Sequence, residues 1–155
     1  MSKIFGSFPT GRAAVGLLLV RLIFGVGIIL HGWDKVANGG PFHWADGFGP
    51  PLDEIPPILQ ALATVTELAA GVAMILGLFT PLAMLGLALT MTVALLQGHR
   101  GEPYVSLDRP YKPTYETVAH YGIVALGLLL TGPGAWSLDY LLFGRRRREV
   151  APVAP

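Results

Sequence analysis

Four stretches of this chain are apolar on every face a helix could present. They cover about residues 13–33, 56–79, 81–98 and 114–131. Within segments such as AAGVAMILGLF and IVALGLLL no polar stripe returns at the 3.6-residue period, which a soluble helix needs on its outer side. A helix that crosses a bilayer takes roughly 20 residues. All four stretches suit that length, the last two near its short end. The pattern predicts an all-α membrane protein: a four-transmembrane-helix antiparallel bundle in one domain, 1–144. It also predicts ordered outer loops, a short C-terminal surface helix, and a basic and then flexible tail over 145–155.

Composition agrees. Hydrophobic residues make up 52% of the 155 and charged residues 14%, against about 25% charged in soluble domains. Cysteine is absent, which excludes disulfides, thiolate metal sites and a C-x-x-C redox motif. A net charge of +1, with no basic groove or stacking aromatics, gives no reason to expect a nucleic-acid partner. The first span is longer than a signal-peptide core and no small-residue cleavage site follows it, so it reads as retained.

The charges set an orientation. Of the 11 Lys and Arg, Lys3, Arg12 and Arg145, Arg146, Arg147, Arg148 lie on the side of the termini. Lys35, Arg100, Arg109 and Lys112 lie in the two longer loops. The positive-inside rule then puts both termini in the cytoplasm of a bacterial or archaeal cell, in its cytoplasmic (inner) membrane. The arginine run is expected on anionic lipid. Both longer loops are rich in Gly, Pro and aromatics, and Trp33, Trp44, Tyr104, Tyr111 and Tyr115 suit the headgroup level.

Arg21 lies near the middle of the first span, where a cation costs roughly 2.5–3.5 kcal/mol even on the lenient insertion scale. The one charge of the second span is Glu67. Depth counted from the span ends, at ~1.5 Å per residue, puts the two within about 5 Å. Their faces also carry small residues: Gly25 and Gly32 beside Arg21, Thr64 and Gly71 beside Glu67. Such faces allow close helix approach in lipid. The expectation is a buried Arg21–Glu67 pair, read either as a fixed structural contact or as a proton or quinone-headgroup site. Glu67→Gln should then strand Arg21. In the third span Gly86, Thr90, Val93 and Gln97 share a face. In the fourth, Glu116 and His120 are i, i+4. His31, His43 and His99 fall in the same outer half. The candidate quinone headgroup set is His31, His120, Glu116 and Gln97, with ordinary interfacial hydrogen bonding as the alternative. Histidine with carboxylate can ligate Zn, Cu or haem iron, but no H-x-x-x-H or E-x-x-H pattern is present and no metal site is assigned. TGPG is expected to end the fourth span, HGW to end the first with Trp33 as anchor, and Asp139 to cap the surface helix YLLFG.

An arginine within the first span followed by HGWDKV (His31, Gly32, Lys35), then ELAAGVAMILGLFTPLA (Glu67, Gly71, Gly77, Thr80), Glu116, and LTGPGAWSLD (Gly132, Gly134, Ser137, Asp139) resembles the DoxX family of small membrane proteins. The resemblance runs over roughly residues 15–139. It implies a four-helix membrane bundle and a role in a redox-linked, quinone-associated complex, as an accessory subunit that anchors or completes the assembly. Catalytic candidates are Glu67, Arg21, Glu116 and His120. If the chain is catalytic, it acts as a quinone-linked oxidoreductase subunit. Quinone is the one cofactor implied. Lipid, other subunits of the complex or further copies of the chain are the expected partners. A purely structural subunit of a larger non-redox assembly is the competing reading.

Overall fold

The computed structural model describes residues 8–46, 53–98 and 115–144, and all regular structure among them is helical. The long helices are α1 (Gly11–Ala37), α2 (Pro57–Leu76), α3 (Thr80–Val93) and α4 (Tyr115–Thr131). A π-helical turn, Ala94–Gly98, continues α3, and another, Tyr140–Gly144, closes the described chain. His99, Arg100, Arg109, Lys112 and the arginine run at 145–148 lie outside the described residues.

Three helices are long and apolar enough to cross a membrane: Gly11–Ala37, Pro57–Leu76 and Thr80–Gln97. α4 has 17 residues, about 25 Å of rise. α1 packs on α2, α2 on α3 and α3 on α4, and α4 returns to α1. The core between them is Ile28, Ala70, Met74, Met84, Leu87, Ala88, Met91, Ala125 and Leu128. Large apolar side chains also cover the outside, with Ile23 69%, Leu82 72% and Leu130 80% exposed. Apolar residues on both the inner and outer faces suit a lipid solvent rather than water.

The α1–α2 seam is built from glycine. A Cβ on Gly71 would lie 2.9 Å from the Gly25 carbonyl oxygen, and one on Gly25 would lie 3.1 Å from that of Gly71. The two backbones therefore touch directly, as the small-residue stripes predicted. Contacts run in opposite directions along the two chains: Gly25 meets Gly71 and Ile75, whereas Gly32 meets Glu67 and Leu68. The helices are antiparallel.

Three boundaries are set by local chemistry. α2 stops at Gly77, which takes φ 62°, and Leu78 N donates to Ala73 O at 3.0 Å, closing a Schellman motif. Thr131 ends α4 at the expected TGPG, with Gly132 at φ 74°. α1 does not end at His31–Gly32–Trp33 but runs one further turn to Ala37. Gly32 is no stop signal there: it is buried where α1 meets Leu68 and Glu67.

Gly71→Ala should lower thermal stability in detergent by about 1–3 kcal/mol, the usual cost of overpacking. Gly127→Ala, where an added Cβ meets nothing within 4 Å, should leave it unchanged. Parallel thermal melts of the two variants check this.

Candidate functional site

The charged groups gather at the two ends of the α1–α2 seam. At the end carrying the chain termini sits Arg21, 1% exposed. Its Nε donates to Met74 O and its Nη2 to Ile75 O, both at 2.8 Å. Its Nη1 donates to Pro133 O and to Trp136 O, again at 2.8 Å. Met74 and Ile75 belong to the last turn of α2, at the negative end of the helix dipole, and Met74 O also accepts from Gly77 N at 3.3 Å. Arg21 thus closes the C-terminus of one helix and ties to it the segment that follows α4.

This corrects the expected Arg21–Glu67 pair. Ile75, which meets Arg21, lies eight residues beyond Glu67, about 12 Å of rise. Depth counted from the span ends brings the two within about 5 Å only if both spans begin at one plane. α1 begins earlier: its first turns are wrapped by the segment after α4, where Ala135 N donates to Pro9 O at 2.9 Å.

Asp139 supplies the nearby negative charge, and its field acts on Arg21. It does not cap the C-terminal turn as expected. Its carboxylate accepts from Phe79 N at 2.7 Å and Thr80 N at 2.8 Å, so it caps α3, and its own N–H donates to Gly77 O at 2.8 Å. The C-terminal turn is capped by Ser137, whose Oγ accepts from Tyr140 N at 3.2 Å. Phe79 is held at φ 47°, a conformation that costs an L-residue roughly 1–2 kcal/mol, and the bond to Asp139 helps to fix it. Gly77 has no room for a side chain: a Cβ there would lie 2.8 Å from Arg21 Nη2 and 2.5 Å from Ser137 Cβ.

Glu67 occupies the other end, 4% exposed. Its Oε1 accepts from Lys35 Nζ at 2.5 Å, while Oε2 is buried and has no hydrogen-bond partner among the described residues. Lys35 was read as a loop charge and missed as a partner. The signal was present: 14 residues after Arg21, at ~100° per residue, it lies within about 40° of the same face once the helix runs past Trp33. The Lys35 ammonium also sits 4.6 Å from the centre of the Trp44 ring, a cation–π contact. Trp44 Nε1 donates to Gln60 O at 3.1 Å. The Gln60 side chain accepts from Ala45 N and donates to Ile55 O and Asp46 Oδ1. One buried glutamine thus straps the loop after α1 onto the start of α2. Asp46 lies below the ordinary carboxylate range, chiefly through the Gln60 bond and then through His43 Nδ1 at 2.9 Å.

The remaining candidates are more scattered. His31, His120 and Gln97 are exposed, and Glu116 is half-buried. His31 meets α4 only through an edge contact of ring centroids 5.4 Å apart with Tyr121. Tyr121, absent from the sequence candidates, is the α4 residue that packs on α1. An added Gly27 Cβ would reach its hydroxyl at 2.3 Å, and it lies within the electrostatic reach of Glu67.

A family model, DoxX, matches residues 16–100, more than half of the chain. It takes in Arg21, Lys35, Glu67 and the Gly77 turn and stops short of Pro133, Trp136 and Asp139. No curated protein and no solved structure matches the chain.

Arg21→Ala should remove about 3–5 kcal/mol, the scale for breaking a buried charged contact, and lower the amount of folded protein in membranes. Glu67→Gln should leave the Arg21 contacts intact and cost far less. Thermal melts of the two variants separate these outcomes. Because the value for Asp46 is lowered on folding, its contribution is present above the ordinary carboxylate range and fades only as pH falls through the lowered value. Trp44 fluorescence should therefore stay constant from neutral into mildly acid pH.

Proposed function

The chain belongs to the DoxX family of membrane proteins, and on that premise we propose that it is an accessory subunit of a redox-linked, quinone-associated membrane complex. It anchors or completes the assembly, and the redox cofactors are carried by its partners. In this reading four helices cross the cytoplasmic membrane of a bacterium or archaeon as an antiparallel bundle, with both termini in the cytoplasm. The distribution of Lys and Arg supports that orientation. The Tyr140–Gly144 turn lies along the inner surface, and Arg145, Arg146, Arg147 and Arg148 rest on anionic lipid.

One observation carries the accessory role. The deepest cation, Arg21, is saturated by four carbonyl oxygens of its own chain, so it holds the fold together instead of meeting a substrate. The chain has no cysteine with which to hold a thiolate-bound redox centre. What it offers outward is a broad apolar surface, suited to lipid and to the helices of other subunits. The same saturation supports a second reading, a structural subunit of a non-redox assembly.

Purification in mild detergent, followed by an absorption spectrum and identification of the retained proteins, separates the two. A flavin- or haem-bearing partner in fixed ratio is the expected result. A stable assembly of fixed composition without any redox chromophore would overturn the redox reading and leave the structural one. Deleting the chain should reduce quinone-dependent electron transfer in membranes severalfold by loss of the assembled complex.

A further inference from the structure

One buried carboxylate is only half satisfied by the fold. Glu67 has one carboxylate oxygen on Lys35 and the other with no partner, in a site that excludes water from that atom. A buried acceptor left without a donor is costly, more so when it is charged. Arg21, which shares the same seam, leaves no such orphan. An ionisable group at membrane depth that the fold does not fully satisfy is a functional group by default.

Access to Glu67 is one-sided. Lys35, its one bonded partner among the described residues, keeps 20% of its side chain exposed, against 5% for Glu67. Lys35 lies in the last turn of α1, beneath Trp44. It is therefore a bridge between the loop end of the molecule and a carboxyl near the middle of α2. Toward the other end the path is closed. Gly25 and Gly71 are in backbone contact, Ile28, Ala70 and Met74 are 0–2% exposed, and the Met74 and Ile75 carbonyls are held by Arg21.

We infer that Glu67 is a proton-binding site, loaded through Lys35 from the end of the molecule that carries the 38–46 loop and sealed from the end that carries Arg21. In the loading step an N–H bond of the Lys35 ammonium breaks and an O–H bond forms on Glu67. The resulting amine regains its proton from water at its exposed side. One proton is taken up, and the pair passes from neutral to singly positive. The groups facing Glu67 are few. α1 brings Lys35 and, through its ring contact with Tyr121, His31. From α4 comes the Tyr121 phenol. α3 has no titratable side chain, and in the loop His43 and Asp46 are bonded to each other. The inference requires no electron carrier and holds whether or not the chain works beside a quinone.

The test is difference infrared spectroscopy on the intact chain, reconstituted in uniform orientation in phospholipid vesicles and labelled with carbon-13 glutamate. Lowering the pH on the loop side should bring up a protonated-carboxyl band that shifts in Glu67→Asp and disappears in Glu67→Gln. Lowering it on the other side alone should not. Lys35→Met should slow the appearance of the band about a hundredfold, the low end for losing a positioned proton donor, while Lys35→Arg remains folded but is equally slow because arginine does not release its proton. A purely structural ion pair would keep Glu67 ionised, so no band assignable to Glu67 at any pH at which the protein stays folded would overturn the proposal. Equal loading from both sides would also overturn it. The wild-type measurement stands alone if a variant fails to fold.

Discussion

The architecture depends on where one guanidinium finds its acceptors. Arg21 is placed among carbonyl oxygens at the end of α2 and in the segment after α4. Each contact is charge-assisted and so stronger than a neutral hydrogen bond. A carbonyl short of donors is costly in a membrane interior. A cation that is costly by itself and carbonyls that are costly by themselves satisfy one another. In doing so they join α1, the end of α2, and the Pro133–Trp136 segment. Asp139 extends the knot by capping α3. The connection between α2 and α3 is thus fixed by residues more than fifty positions away.

The opposite end follows a different rule. There a carboxylate and an ammonium meet directly, the ammonium partly exposed and the carboxylate buried. Trp44 and Gln60 hold the loop over them. Such a pair neutralises charge, but a carboxylate has room for several donors and Glu67 uses one oxygen. At the Arg21 end every guanidinium nitrogen and both Asp139 oxygens are bonded, and Thr80 Oγ1 is the buried atom without a partner among the described residues. At the loop end it is Glu67 Oε2.

Much of the fold was legible because lipid is an undemanding solvent to read. Segments apolar all round have few other uses, so the helices and their rough limits emerged directly, and Gly132 marked one stop. Glycines on the Arg21 and Glu67 faces correctly signalled where backbones would touch. Gly32 misled, since a glycine beside a tryptophan resembles a helix end, yet here it makes room for Glu67 and Leu68. That one misjudged turn hid Lys35, and with it the true partner of Glu67. Tyr121 was overlooked beside Glu116 and His120 because nothing in the pattern distinguishes the α4 residue that faces α1.

The sequence by itself determined that the chain is a membrane protein of long apolar helices, that Arg21 and Glu67 must both be answered within it, and which faces pack closely. Hydrophobic period, charge and residue size carry that information. Only the tertiary structure decided which group answers which. The acceptors of Arg21 are main-chain oxygens, which every residue possesses and no residue type announces. Whether Glu67 meets Arg21 or Lys35 depends on how far one helix slides along another. With that offset the segment after α4 bonds to the start of α1, Ala135 N to Pro9 O, a contact over more than a hundred positions that no local pattern encodes.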